Sequence, residues 1–364
     1  MVDGGRPVSH ARSAAEPRMM RLPRLARSEG RLIALDAGIP VQEALEARRR
    51  ALARMVARVR PDVVLVDHYP FSKWELESEL HTALDEARQC NPEVRILCSL
   101  RDVVRKTRYE QSDRRAYERR ILAELGARFD GILVHADPTF TRLEEHFARC
   151  ADLPVPVRYT GFVAHRPPSV SRTKSQRAYG VLSCGGGSAS LAFLLNVMRA
   201  FEREAVGGGS KPMPLLVFPG AFVPASDIES LKKAAAGSSA RIQSFGPLFG
   251  PQLAGSKLSI SRAGYNTCVA ILQSRVRAVL VPDPVMSDQA VRARRLAELG
   301  LAVSVEGNPS GTELGAAIQT ALSGPRPRHG LDLDGVRHTR ALIEASGRWT
   351  RRGSASRLAR PAKR

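Results

Sequence analysis

Residues Leu258 to Gly300 read LSISRAGYNTCVAILQSRVRAVLVPDPVMSDQAVRARRLAELG, and this stretch decides the fold. A short apolar run, Leu258 to Ile260, ends at Ser261-Arg262-Ala263-Gly264. From Tyr265 to Gln273 the pattern turns helical, with Thr267, Ile271 and Leu272 recurring at helical spacing. A second buried run, Ala278 to Val281, is closed by Pro282, and Ser287-Asp288-Gln289 opens another helix. Strand, turn and helix, given twice, are the repeating unit of a parallel α/β sheet. Ligands of such sheets sit at the carboxyl ends of strands, where helix N-termini offer N–H groups. Both S-R-A-G-Y-N-T and D-P-V-M-S-D-Q fall at such ends.

Upstream, Tyr179 to Cys184 is a strand, Gly185-Gly186-Gly187-Ser188 a turn and Ser190 to Glu204 a helix. Glycines there let the backbone approach a ligand, and the helix start suits a diphosphate. A ligand-free tight turn is the plainer reading. The third position of a G-x-G-x-x-G fingerprint is Ser190, so a dinucleotide fold is not supported. Strands follow at Pro214 to Phe218 and Arg241 to Phe245, with Ser226-x-x-Glu229 as a capping box opening a helix between them. Leu301 to Val305 is a last strand, and helices cover Thr312 to Leu322 and Leu333 to Ala345. Asp332-x-Asp334 precedes that final helix, so it reads as a cap rather than a metal site.

The first half alternates in the same way. Val41 to Arg58 is helical, and Pro61 to His68 is a strand ending in Asp67-His68. Glu75 to Arg88 is a helix, and Val94 to Leu100 is a strand ending at Arg101-Asp102. Tyr109 to Leu125 is a helix, and Asp130 to Val134 a strand ending at His135. Phe140 to Cys150 is read as a helix and Val157 to Phe162 as a strand, while the Arg- and Pro-rich segment after Pro7, up to Arg31, has no period and reads as loop. Pro167 to Arg177 is rich in Pro, Ser and Arg and reads as a linker. The expected organisation is a domain over 1–166, a linker over 167–177, a second domain over 178–346 and a disordered basic tail over 347–364.

Composition excludes several classes. The 364 residues suffice for two α/β domains, and no run approaches the roughly 20 apolar residues of a spanning helix. Five scattered cysteines without C-x-x-C spacing argue against a disulfide framework or a zinc site. The net charge of +20 invites a nucleic-acid reading, but Arg348 to Arg364 alone holds seven basic residues and no acidic one. The rest is spread over Arg-rich helix faces (Arg48 to Arg50, Arg292 to Arg295) without a nucleic-acid motif, so no specific nucleic acid is expected. A diffuse basic field still attracts anionic lipid or an anionic sugar donor.

The Gly264-Tyr265-Asn266-Thr267 turn and the Arg292-to-Leu296 helix resemble the nucleotide-sugar half of the MurG-like glycosyltransferases, family 28, and most closely a group of bacterial relatives of that enzyme. The resemblance runs from about Met1 to Ala345 and is strongest from Gly185 to Gly300. It implies an α/β GT-B protein of two Rossmann-like parallel-sheet domains facing a cleft. The N-terminal one is expected to be truncated, because the relatives begin with a strand and a glycine-histidine loop not found here. The implied reaction is inverting transfer of a hexose or N-acetylhexosamine from a UDP-sugar. The acceptor is lipid-linked or a small molecule, and the setting is cytoplasmic, with peripheral contact at the inner membrane face.

By this resemblance the donor is bound by Gly185, Gly186, Gly187, Ser188, Arg262, Gly264, Asn266, Thr267, Asp288 and Gln289. Asp288-Gln289 aligns with a Gln-Gln pair that holds donor-sugar hydroxyls; an N-cap is the plainer role for Asp288, and both can hold at once. The family's ribose-binding glutamate falls at Ala270, whose methyl group accepts no hydrogen bond. His68 and Asp102, at strand ends of the first half, are the candidate bases, against a merely structural role for each. No metal or other cofactor is expected. The rival expectation, resting on Ala270 and the missing loop, is a weak or inactive homologue that serves as a sugar-nucleotide-binding or partner subunit.

Overall fold

The structure, a computed structural model, describes residues 2–3, 19–28, 31–36, 38–104, 113–164, 178–185, 190–205, 213–220, 222–244, 246 and 248–345. The expected linker and basic tail lie outside the described residues. The chain divides into two compact units, Met1–Thr160 with Val336–Arg364, and Gly161–Gly335.

The first unit starts with short strands, and beyond Pro7 they stand where the sequence suggested loop. Strand β1 (Val2–Asp3) pairs in parallel with β2 (Met20–Arg21), and β3 (Leu25–Ser28) forms an antiparallel hairpin with β4 (Arg31–Ala34). Two-residue pairings and a polar hairpin carry too little periodicity to be read in advance. The elements that follow are α1 (Val41–Val59), β5 (Val63–Asp67), α2 (Glu77–Cys90), β6 (Arg95–Leu100), α3 (Arg114–Arg128), β7 (Gly131–Val134) and β8 (Val157–Tyr159). Strands β5 to β8 form a four-stranded sheet in sequential order, parallel throughout. All four residues of β7 and most of β6 are buried, as a sheet covered on both faces requires. Helices α1 and α2 are tied by a buried bidentate pair, Arg48 Nε and Nη2 each 2.7 Å from Glu79 carboxylate oxygens.

The expected helix at Phe140 to Cys150 is absent, and two 3₁₀ turns, Leu143–Glu145 and Cys150–Asp152, stand in its place. Side chains take the backbone donors that a helix would need. Asp137 accepts from Thr139 N at 2.8 Å, Glu145 from Arg142 N at 2.7 Å, and the Tyr159 hydroxyl from Leu143 N at 2.7 Å.

The second unit holds β9 (Gly180–Ser183), α4 (Leu191–Glu204), β10 (Leu215–Phe218), α5 (Ala225–Ala235), β11 (Ala240–Ile242), α6 (Phe249–Gly255) and β12 (Leu258–Ser261). It continues through α7 (Tyr265–Ser274), β13 (Arg277–Leu280), α8 (Ser287–Glu298), β14 (Val303–Ser304) and α9 (Gly311–Ser323). The last helix, α10 (Gly335–Glu344), belongs to the first unit from Val336 on. Six parallel strands stand in the order β11-β10-β9-β12-β13-β14. This is a doubly wound order that reverses direction between β9 and β12. Leu194, Val197 and Phe201 of α4 pack with Leu314 and Ile318 of α9 on buried strand residues such as Leu182, Ile260 and Val279.

The Ser226 box is not formed. Helix α5 starts at Ala225, two residues earlier than a Ser226 cap would place it, after Pro224 and with no side-chain cap. The reciprocal box sits instead at Ser310 and Glu313, opening α9. Asp332 accepts from Asp334 N at 2.8 Å and packs against Gly161, where a Cβ would lie 2.5 Å from its carboxyl carbon. Among the described residues no helix is long and apolar enough to cross a membrane.

Candidate functional site

The strand order reverses between β9 and β12, and their carboxyl ends carry the Ser183-Cys184-Gly185 and Ser261-to-Gly264 turns, the place where sheets of this kind bind ligands. Gly185 has φ +68, where an L side chain is strained, and a Cβ there would lie 3.1 Å from the Thr267 hydroxyl. The two glycine turns read from the sequence therefore lie side by side, with no room for a side chain at Gly185. Gly185 N donates to Ser183 Oγ at 3.2 Å, a buried hydroxyl that the sequence reading passed over. Gly186, Gly187 and Ser188 lie outside the described residues. Helix α7 begins at the same reversal with Gly264 as its N-cap, a residue with no side chain to cap the first turn. An uncapped helix start is the arrangement that suits an anion. Asn266 is exposed in that first turn, and Thr267 is buried.

The turn after β12 is clamped from α8. Gln289 Oε1 accepts from Ala263 N at 3.1 Å and Asp283 N at 3.0 Å, joining the turns that follow β12 and β13. Both partners are donors, which fixes the amide's orientation and turns its NH2 group away from them. Arg292, only 2% exposed, donates to Ala263 O at 2.6 Å and to Asp288 Oδ2 at 3.2 Å. Asp288 is thus no N-cap: it stands inside the first turn of α8, after the N-cap Met286, and pairs with Arg292 four residues on. Of the Arg-rich helix face at Arg292 to Arg295, Arg292 is buried while Arg294 stays exposed.

Arg262 is 8% exposed, donates to Val281 O at 3.2 Å and Pro282 O at 3.0 Å, and lies 3.7 Å from the Phe193 ring centroid. Burial pushes its pKa down and Asp283 partly offsets this. Its Nε is buried without a partner among the described residues. Phe193 gave no signal in the sequence, whereas Asp288 and Arg292 stand at the i,i+4 spacing of a helical ion pair. Ala270 is half-buried one turn after Thr267 on the same side of α7.

In the first unit the strand ends align a second polar row. His68 has φ 63 and its side chain is 15% exposed, with Nε2 3.9 Å from Asp67 Oδ1. Asp67 also accepts from Lys73 Nζ at 2.7 Å. Burial pushes the Asp67 carboxyl up, but Lys73, His68 and Arg101 outweigh it and hold it below the ordinary value. Asp102 is 1% exposed and accepts from Val103 N at 2.8 Å. Of the two candidate bases, His68 alone keeps appreciable exposure. Glu77, His81 and Glu124 come close enough to suggest a cation site. Arg120 already takes Glu77, and His81 takes Glu124 and Tyr69, so an ion-pair network accounts for the group.

His135 closes β7 with Nε2 2.9 Å from Ser99 Oγ and Nδ1 2.8 Å from Thr160 Oγ1. Burial pushes its pKa down to about 4, with Asp67 opposing and Arg101 assisting. A histidine whose folded pKa lies below its unfolded value of about 6.5 stabilises the fold only while neutral. That contribution is complete above about pH 6.5 and is lost as pH falls toward 4. Stability is therefore expected to fall between about pH 6.5 and 4.5, by on the order of 2 kcal/mol from this group. Urea unfolding checks it: the fall should shrink in His135→Gln, and an undiminished fall would assign it to other groups.

The fold is of the GT-B class. It resembles the spinosyn forosaminyltransferase SpnP, at 14% identity over 90% of this chain and 86% of that one, with a TM-score of 0.56. Os79 from O. sativa, solved in complex with UDP, gives 16% identity, coverage of 83% and 78%, and a TM-score of 0.52. A putative UDP-N-acetylglucosamine 2-epimerase from Listeria monocytogenes gives 14%, 85% and 80%, and 0.56. At these identities the likeness speaks for the fold alone. Residues 224–328 match the glycosyltransferase family 28 C-terminal domain. That span takes in the Arg262-to-Thr267 turn and Asp288-Gln289, and by this domain the chain is a glycosyltransferase. No curated protein matches the chain.

Proposed function

We propose that this protein transfers a hexose or N-acetylhexosamine from a UDP-sugar to an acceptor hydroxyl, with inversion. The observation that carries the reading is the close approach of Gly185 to Thr267 at the strand-order reversal, beside the uncapped start of α7. The diphosphate lies there, held by backbone N–H groups of the two glycine turns and by the Thr267 hydroxyl. The helix dipole stabilises the charge that gathers on the departing UDP. Arg262 adds a fixed positive charge from below and Asn266 a polar contact from the first turn. The Gln289 NH2 group and the remaining acceptor capacity of Asp288 meet sugar hydroxyls. His68 takes the acceptor proton, because a base has to reach the hydroxyl that it activates and Asp102 is enclosed. No metal or other cofactor takes part. The acceptor is lipid-linked or small, and the basic surface of a chain of net charge +20 favours work in the cytoplasm beside an anionic membrane.

Ligand linkage tests the donor half. At a hundredfold excess over Kd a ligand adds about 2.7 kcal/mol, which is several degrees of Tm. UDP and UDP-sugars should each raise Tm, the sugar nucleotide by more. Gln289→Glu keeps an acceptor for Ala263 N and Asp283 N but loses the NH2 donor. It should therefore shrink the difference between UDP-sugar and UDP, the contact to Asp288 remaining. No shift with any nucleotide diphosphate at millimolar concentration sinks the proposal. Transfer itself is read as UDP released when candidate acceptors are added.

A further inference from the structure

A helix start is commonly held by a side chain that accepts from its first-turn N–H groups, as Ser190 does for α4 and Ser310 for α9. Helices α1 and α5 start without such a cap, but each follows a proline whose fixed φ restrains the entry. Helix α7 has neither device. It follows Gly264, the least restrained of residues, and the N–H groups of Asn266 and Thr267 have no partner among the described residues. A helix end left so would fray.

What fixes α7 is its first residue. Tyr265 is only 5% exposed, and its hydroxyl accepts from Val163 N at 3.0 Å. Its ring packs on Phe162, with centroids 6.0 Å apart, and the Arg292 guanidinium lies 5.9 Å from its centroid. The segment that receives Tyr265 is itself tied down. Phe162 N donates to Asp332 O at 2.8 Å, Gly335 N donates to Phe162 O at 3.0 Å, and Val163 bridges to Asp334. A Cβ at Gly335 would lie 2.6 Å from Gly161 O, so the two strands of chain run in close contact. All of these residues belong to the second unit, whose bounds are Gly161 and Gly335.

We propose that Tyr265 is a positioning residue of the donor site, taking the place of an N-cap from outside the helix. The assignment rests on the donor reading above. A capping hydroxyl or carboxylate would occupy the very N–H groups that a diphosphate needs. Anchoring the first residue by its side chain fixes the turn and leaves those groups free. Donors aimed in advance lower the ordering cost of binding. Tyr265 thus acts through the turn and not on the ligand.

The test compares the full wild-type chain with Tyr265→Phe and with Tyr265→Phe/Gly264→Ser. The first variant loses the hydroxyl and keeps the ring. The second adds a capping hydroxyl at a position where a Cβ meets nothing within 4 Å and φ is −66. Amide hydrogen exchange without ligand is read at Cys268, whose N–H closes the first turn on Gly264 O at 2.9 Å, and at buried Ile318 of α9 as a distant control. UDP affinity is read by calorimetry. Tyr265→Phe should speed exchange at Cys268 and raise the Kd of UDP, each by about fivefold, the size of one lost cap. Exchange at Ile318 should not change. The double variant should recover protection at Cys268 but not the affinity, because its new hydroxyl takes an N–H from the ligand. A residue needed for stability alone would recover both. Recovery of both, an unchanged Kd, unchanged exchange at Cys268 or an equal rise at Ile318 overturns the assignment while UDP still binds. No UDP bound by the wild type sinks the donor site itself, and the assignment with it.

Discussion

Arg292→Ala is expected to destabilise the second unit by about 3–5 kcal/mol, the largest loss predicted for a single substitution in this chain. Three terms act together. The buried guanidinium leaves a cavity, Ala263 O loses its 2.6 Å donor, and Asp288 keeps a carboxylate with its buried partner gone. At roughly 2–4 °C per kcal/mol for a unit of this size, Tm should fall by about 10 °C. Buried ion pairs are poor stabilisers compared with apolar residues of equal volume, so Arg292→Met with Asp288→Leu should recover much of the loss. Donor binding should not recover with it, because the double variant no longer holds Ala263 O and the turn before α7. Urea unfolding and nucleotide-induced Tm shifts on the same variants separate the two. A cost below about 1 kcal/mol for Arg292→Ala would show that the turn is held by other means.

Much of the second unit was legible in its sequence because buried parallel strands read as short apolar runs and turns announce themselves with glycine. Leu258 to Ser261, Tyr265 to Ser274 and Ser287 to Glu298 came out within a residue or two of the structure. The clamp around them was not legible. R-A-R-R on a helix reads as a solvated face, and only the fold shows that Arg292 turns inward while Arg294 stays out. Gln289 was read as a sugar ligand, and its oxygen is already used to join two turns. In the first unit, Phe140 to Cys150 had the composition of a helix, but Asp137, Glu145 and Tyr159 withdraw its backbone donors through contacts of which only some are local. Ser226-x-x-Glu229 and Ser310-x-x-Glu313 carry the same pattern, and the helix start at Pro224 leaves only the second in register to cap.

Ala270→Glu is expected to tighten UDP-sugar binding by about ten- to a hundredfold. Residue 270 is half-buried one turn after Thr267 on the same side of α7. By family resemblance it is where a carboxylate accepts from the ribose hydroxyls. A hydrogen bond to a charged group contributes roughly 1.5–3 kcal/mol, and each 1.4 kcal/mol is tenfold in Kd. Nothing in the substitution supplies a base or an acceptor contact, so the rate of transfer at saturating donor should stay where it is. The wild-type chain is accordingly expected to bind its donor about ten- to a hundredfold more weakly than the variant.

The account rests on nucleotide binding at the strand-order reversal between β9 and β12, and calorimetric titration of one UDP-sugar into the wild-type protein and Ala270→Glu tests it most directly. We expect one equivalent bound by each, with Kd at least tenfold lower for the variant and the gain retained for UDP alone, since the ribose is common to both. No heat from either protein at millimolar nucleotide, or equal affinity in the two, would contradict a donor site built on Gly185, Thr267 and the start of α7.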